Sequence, residues 1–250
     1  MIEIIGVHKS LGGRPVLEGV DLDVREGETL VIMGPSGTGK SVLLKHIVGL
    51  FDPDAGDIIV DGISVPSSSR EEIAAIRAKI AYVFQNSALF DSMTVRGNLL
   101  MGLPPGSYQD RMAECEELAR TALNYVNLAP DVLALYPAEL SGGMQRRVAI
   151  ARAIIGKRRY VLYDEPTTGL DPVNATRINR LIAHVSHEVD ATSIVVTHDV
   201  TSAFFLADRI VLLSEGVIQA EGTPEELRVT DNPAVREFLD AAPGTGVRGA

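Results

Sequence analysis

Three groups of residues in this chain have types and spacings that could act on a phosphate ester. The first is Gly34-Pro35-Ser36-Gly37-Thr38-Gly39-Lys40-Ser41, which has the full pattern of a phosphate-binding loop. Its glycines permit dihedrals that turn successive amides toward one anion, and the amino end of a following helix adds partial positive charge. The pattern assigns Lys40 to the β and γ phosphates of a nucleoside triphosphate and the Ser41 hydroxyl to Mg²⁺. The second group is Asp164 and Glu165, which close the apolar segment from Arg159 to Glu165. Open α/β sheets place ligands at the carboxyl ends of their strands. There Asp164 would hold Mg²⁺ through a water, and Glu165 would activate the water that attacks the γ phosphorus. In isolation two adjacent acids fit a solvated strand end, and it is the phosphate loop that gives them a chemical partner. The third group is Leu140-Ser141-Gly142-Gly143-Met144, ahead of the helical segment QRRVAIARAII. Ser141 as cap acceptor and two glycines give another loop of exposed amides at a helix start, in a chain whose one phosphate-loop lysine is already assigned.

Other candidates read more blandly. His184, His187 and Glu188 have metal-ligand spacing on a helix, but a solvated face accounts for them. Cys115 lies among Glu114, Glu116 and Glu117, which disfavours a thiolate, so it reads as an inert or partly buried thiol. Arg146, Arg147 and Arg152, followed by Lys157, Arg158 and Arg159, form the one basic concentration; helix-end electrostatics and packing are a sufficient account.

These residues need strands and helices to hold them. Residues 2–7, 16–24 and 56–65 read as short strands, with Asp61-Gly62 fitted to a two-residue hairpin turn, which suggests a small antiparallel layer. Thr29 to Met33 reads as a buried strand before the phosphate loop, and Val42, Leu43, His46 and Ile47 are spaced for one face of the helix after it. A short helix over 70–79 and a strand over 80–85 follow. From Asn86 to about Leu135 strand signals fade, which suggests an inserted helical subdomain of roughly 65 residues that extends into a helix beginning at Gly143. The β/α rhythm then resumes with a strand over 159–165, a helix over 174–189, a strand over 192–198 and a helix over 202–207. Two closing strands, RIVLLSEG and VIQAEG, flank a turn, and the tail AAPGTGVRGA reads as flexible.

A length of 250 residues suits one large α/β domain, and 46% hydrophobic with 22% charged residues excludes bulk disorder. A single cysteine excludes an internal disulfide or a four-cysteine zinc site. A formal charge of −10 opposes direct nucleic-acid binding. The longest uncharged run, Gly97 to Gln109, is broken by glycines and prolines, so no bilayer-spanning segment is expected and any membrane connection would pass through another protein.

The set of motifs, in order, resembles that of the ATP-binding-cassette (ABC) transporter ATPases: GPSGTGKS, Gln85 of VFQN, LSGGM, YVLYDEP, Gly169 to Asp171 of TGLDP, and His198 of VVTHD. That resemblance implies an α/β fold, with a phosphate-loop NTPase core built on a parallel sheet, an antiparallel β layer and an inserted helical subdomain. It implies an ATP-binding domain over residues 1–240, in which 1–85 and 156–230 form a RecA-like core and 86–155 the helical signature subdomain, with 231–250 as a tail. The implied cofactors are ATP and Mg²⁺, held between two copies paired head to tail. On this chain the implied nucleotide contacts are Leu11, Val16, Gly34, Pro35, Ser36, Gly37, Thr38, Gly39, Lys40, Ser41 and Val42. Ser141 and Gly143 would contact the γ phosphate across the dimer, with Gly142 also in the nucleotide site, Asp171 would lie at the interface, and Gln85 would link Mg²⁺ to the transport partner. His198 would hold the γ phosphate beside the catalytic Glu165 and Lys40, with Ser41, Gln85 and Asp164 as the metal set. Leu11 stands where the family usually stacks an aromatic residue on adenine, a departure that implies looser packing of the base on Leu11 and Val16.

Within the family, GPSGTGKSVLLKHIVGL, FQNSALFDSMTVRGNL, LSGGMQRRVAIARA and YDEPTTGLDPV, with NPAVREFLDAAPGTG at 232–246, resemble the ATPase of Mla or Mce phospholipid-transport systems. That finer resemblance implies a multi-spanning inner-membrane permease, a lipid-binding Mce-domain protein and a small STAS-domain protein as partners. It implies a peripheral subunit on the cytoplasmic face of a bacterial inner membrane. Service to another solute, or a non-transport role in nucleic-acid or ribosome remodelling, are the alternatives. The acidic balance argues against the second.

Overall fold

The first half of the chain lays down β1 (Ile2–Leu11), β2 (Arg14–Val24), β3 (Thr29–Met33), α1 (Lys40–Ile47), β4 (Ala55–Val60), β5 (Ile63–Ser64) and α2 (Arg70–Ala78). Next come β6 (Ile80–Val83), α3 (Val95–Leu100), α4 (Met112–Tyr125), two short 3₁₀ turns, α5 (Gly142–Ile154), β7 (Tyr160–Asp164) and α6 (Pro172–Glu188). The last are β8 (Thr192–Thr197), α7 (Val200–Leu206), β9 (Arg209–Ser214), β10 (Val217–Gly222), α8 (Pro224–Val229) and α9 (Pro233–Ala241). This computed structural model describes residues 1–104, 112–189 and 191–241. The end of the tail beyond 241, and residues 105–111 of the expected helical subdomain, lie outside them. The chain forms two units, residues 1–77 with the segment from Thr192 onward, and residues 78–191.

In the first unit, β2-β1-β4-β5 make the expected antiparallel layer. Ile2, Ile4 and Val7 of β1 are buried, and a register shift between Ile4 and Val7 moves the buried set from even to odd positions. Asp61 and Gly62 both have positive φ, 51° and 80°, as the hairpin turn between β4 and β5 requires. A second run of strands has the order β10-β9-β3-β8, with β3 parallel to both β8 and β9. β3 and β8 are buried at every residue, as a parallel strand covered on both faces must be. Arg209, at the start of β9, is 7% exposed at its side chain and donates to both Glu28 carboxylate oxygens, at 2.6 and 3.1 Å, and pairs with Glu221. Burial works against its charge, but the two glutamates outweigh it and hold the guanidinium above its ordinary pKa.

In the second unit β6 and β7 run parallel, Ile80 beside Tyr160 through Val83 beside Tyr163. Around them are α3 to α6. Asn98, wholly buried on α3, accepts from the Phe90 amide at 2.7 Å and donates to the carbonyls of Phe90, Met93 and Thr94. α3 and α4 are helical, as the fading strand signal implies. Cys115 is buried on α4.

Several boundaries differ from the sequence expectation, each for a local reason. α5 begins at Gly142 because Ser141 is its cap, its Oγ accepting from the Met144 amide at 3.3 Å. α7 begins at Val200 because the Asp199 carboxylate accepts from Thr201 and Ser202. On α1 Leu44 is buried and Val42 only half so, because the buried arc is centred on Leu43 and Ile47 and Val42 falls at its edge. Among the described residues no helix is long and apolar enough to cross a membrane.

Candidate functional site

The phosphate loop leaves the buried end of β3 and enters α1. Gly34 has φ +155°, and a methyl group there would sit 2.0 Å from the Leu213 carbonyl oxygen of β9. Gly39 has φ +97°, and its methyl would meet the Val16 oxygen and the Leu17 side chain at 2.9 Å. Backbone cannot move aside as a flexible side chain can, so both positions exclude any larger residue. The Thr38 hydroxyl donates to the Pro35 carbonyl at 2.9 Å and tightens the turn. Lys40 is 4% exposed, and its ammonium donates to the carbonyls of Gly34 at 2.8 Å and Pro35 at 2.7 Å. An ionised phosphate oxygen is a stronger acceptor than a carbonyl, so this ammonium is already held where such a ligand would bind it. Gly39 offers α1 no side-chain cap, which leaves the electropositive end of the helix to whatever the loop encloses. Ser36 and Gly37 are exposed at the loop's tip, while Ser41 and Val42 are half-buried on the first turn of α1.

Val16 lies against this loop, as its contact with the Gly39 position shows. Leu11 is 40% exposed at the end of β1, paired with Arg14 across the turn. His198 is exposed one residue beyond the end of β8, not within the strand as the sequence suggests.

In the second unit Asp164 ends β7 and Glu165 follows it, 5% and 8% exposed. The Tyr82 hydroxyl of β6 donates to Asp164 Oδ2 at 2.8 Å. Burial first, and then the Asp164 charge, push that hydroxyl above the ordinary phenol range, so it stays a donor. The Thr168 hydroxyl donates to Glu165 Oε2 at 2.9 Å. Glu165 itself has φ +49°, a left-handed conformation that costs a non-glycine residue about 1–3 kcal/mol and persists where the surroundings impose it. Tyr82 and Thr168 are absent from the sequence expectation. Thr168 could have been found from its place three residues after Glu165, whereas Tyr82 requires the pairing of β6 with β7.

Gln85 is exposed, and its loop is held by its backbone. Arg146 of α5, 6% exposed, donates to the carbonyls of Phe84, Gln85 and Thr168. Arg152 donates to Ser87 at 3.0 Å and Ala88 at 2.7 Å, two residues turned to positive φ. Burial lowers the pKa of both guanidiniums. The basic concentration is therefore packing, as the sequence suggests, and more specifically a set of clamps on loop carbonyls. They join the helix behind Ser141 to the loops of Gln85 and Glu165.

Gly142 and Gly143 differ from the phosphate-loop glycines. Neither has positive φ, a methyl on Gly142 would meet nothing within 4 Å, and one on Gly143 would meet only the Asn174 side chain at 3.8 Å. Nothing described in this chain requires glycine there, although glycine in a helix costs about 0.5–1 kcal/mol relative to alanine. Asp171 is exposed and caps α6, accepting from the amides of Val173 and Asn174 at 3.0 Å and from the Asn174 side chain. Those bonds, Asn174's amide first, hold its carboxyl below the ordinary range. His184, His187 and Glu188 are exposed on α6, and no group of three potential metal ligands occurs among the described residues.

In the first unit a buried ammonium at a helix start and the Ser41 hydroxyl suit a phosphate group, and in the second the hard carboxylate oxygens at the end of β7 suit a divalent cation. A family model described as ABC transporter matches residues 17–168. The chain is similar to the probable ribonucleotide transport ATP-binding protein mkl of Mycobacterium leprae, 37% identical over 239 residues, and covers 96% of this chain but about two thirds, 68%, of that relative. It is 40% identical over 226 residues to the probable ABC transporter ATP-binding protein PEB1C of Campylobacter jejuni, covering 90% of this chain and 92% of the relative. Among solved structures it resembles the dimeric post-hydrolysis state of the ATP-binding cassette MJ0796 bound to ADP and Pi. The TM-score is 0.79 at 33% identity, over 90% of this chain and 99% of that one.

Proposed function

We propose that this chain, which belongs to the ABC transporter family, is the ATP-hydrolysing subunit that drives transport of a solute through a membrane-spanning partner. The observation that carries the reading is the pair Gly142 and Gly143. Glycine there costs the helix and is required by no described neighbour, which leaves the helix start open to a group from outside the chain. In this reading two copies pair head to tail, and Ser141, Gly142 and Gly143 of one approach the γ phosphate held by the other's Lys40 loop. The solution of MJ0796 as a dimer bound to ADP and Pi supports the pairing.

The individual roles follow from the side chains. Lys40 binds β and γ oxygens, Ser41 and, through water, Asp164 hold Mg²⁺, and Glu165 orients and deprotonates the attacking water. Tyr82 and Thr168 keep the two carboxylates in place. His198 contacts the γ phosphate, Asp171 meets the other copy, Gln85 reports to the membrane partner, and Leu11 and Val16 carry the adenine. Glu165→Gln keeps shape and loses the base. Such a chain should bind Mg-ATP yet hydrolyse it at least about 100-fold more slowly. It should also accumulate as an ATP-dependent dimer that Ser141→Arg abolishes. Near-normal hydrolysis by Glu165→Gln, or a dimer that survives Ser141→Arg, overturns the assignment.

The names of the relatives favour solute transport in general, ribonucleotide transport in the case of mkl. Phospholipid as the solute is a second reading, carried by the sequence segments from GPSGTGKSVLLKHIVGL to YDEPTTGLDPV. It places the chain on the cytoplasmic face of an inner membrane with a permease, an Mce-domain protein and a STAS-domain protein. Gentle extraction of the chain with its membrane decides between them: an Mce-domain protein and bound lipid support the lipid reading, and a solute-binding protein in their place overturns it.

A further inference from the structure

A cleft of about 390 Å³ opens in the second unit where the first turns of α5 meet α6 and the turn after α4. Four cationic or protonatable side chains line it: Arg147 from α5, and Arg177, Arg180 and His184 from one face of α6. Its floor is apolar, formed by Ile178 and Leu181. No carboxylate is among its lining residues, although acids outnumber bases in the chain by 33 to 23. Arg177, Arg180 and His184 are exposed, and among the described residues neither arginine makes a hydrogen bond or an ion pair. Arg147 is held in place, its guanidinium donating to the Asn127 carbonyl at 3.0 Å and the Gly143 carbonyl at 3.4 Å. Burial and then the charge of Arg177 both lower its pKa.

An acidic protein that collects like charges around an apolar floor, with no acid to offset them, gains from a ligand that brings the missing charge. Guanidinium forks match the paired oxygens of phosphate, and the volume lies within the range of small-molecule sites. We propose that this cleft binds a small organic anion with a phosphate group beside an apolar moiety, the phosphate between Arg147, Arg177 and Arg180 and the apolar part on Ile178 and Leu181. Gly143, which the proposed pairing assigns to the other copy's γ phosphate, also lines the cleft, and a binding experiment on the full chain without nucleotide tests the proposal apart from that reading.

Phenyl phosphate is the probe, titrated by calorimetry at low salt, with amide hydrogen exchange to locate it. Protection over residues 174–184 is expected. In the chain carrying Arg177→Ala and Arg180→Ala, affinity should fall at least about tenfold, with an unchanged unfolding temperature because both side chains are exposed and unpaired. Replacing both with lysine should restore most of the affinity, which loss of fold could not mimic. Protection confined to residues 34–42, binding undiminished in the double-alanine chain, or no binding at millimolar probe overturns the proposal.

Discussion

Gly34 and Gly39 turn the phosphate loop at positive φ where a methyl would press on neighbouring backbone, whereas Ser87 and Ala88 turn the loop after β6 at positive φ with side chains in place. The first loop is shaped by exclusion, since β2 and β9 approach so closely that only a bare backbone fits. The second is shaped by attachment, its carbonyls caught by Arg146 and Arg152 reaching from α5. Exclusion gives a rigid cradle that needs no outside part. Attachment gives a loop whose shape depends on another element, so that displacement of α5 is felt at Gln85 and at Thr168 together. A cradle suits tight holding of phosphate, and a tethered loop suits a segment that must report a change.

The largest effect should come from Gly34→Ala. Its methyl has no route away from the Leu213 oxygen, so loss of about 3 kcal/mol or more and loss of ATP binding are expected, read by urea unfolding and nucleotide titration. Wild-type stability in that variant would break the idea of shaping by exclusion. Arg146→Met should come next. Removing the donor to three carbonyls should cost about 2–3 kcal/mol, with kcat lowered and ATP affinity nearly unchanged, because the phosphate loop does not use this clamp. An equal loss of affinity would mean that the two loops are not separable. Lys40→Ala should weaken ATP binding or turnover at least tenfold, about 1.4 kcal/mol, while leaving the loop's glycine-defined path intact. Its unfolding curve and turnover together check this. The smallest effect has the opposite sign: Gly142→Ala should stabilise the chain by about 0.5–1 kcal/mol and weaken ATP-dependent pairing. A destabilised Gly142→Ala would show that the chain itself needs that glycine.

The same contrast decides how much was legible in the residues. Short-range features could be read directly: the phosphate loop, the Asp61-Gly62 turn, the Ser141 cap and the strand over residues 2–7 all depend on neighbours a few positions away. The β4–β5 hairpin and the helical character of α3 and α4 could be read for the same reason, whereas the pairing of β1 with β4 joins Ile2 to Val60. Arg146 and Arg152 could be recognised as basic and no more, since their acceptors lie 61 to 65 positions away at the Gln85 loop. Tyr82 could not be joined to Asp164, 82 positions on, without knowing that β6 and β7 are neighbours. The left-handed backbone of Glu165 had no signal, because left-handed turns are usually announced by glycine or asparagine and here the residue is the acid itself.

β3 is made early in synthesis, yet both strands it pairs with in the first unit, β8 and β9, begin at Thr192 or later. At ribosomal rates of about 5–20 residues per second, a five-residue strand with four apolar side chains and two unpaired edges waits roughly 8–30 s for its neighbours. Residues 78–191 are synthesised as one uninterrupted stretch within that interval. The nascent chain is thus most exposed to aggregation at the segment that leads into its phosphate loop.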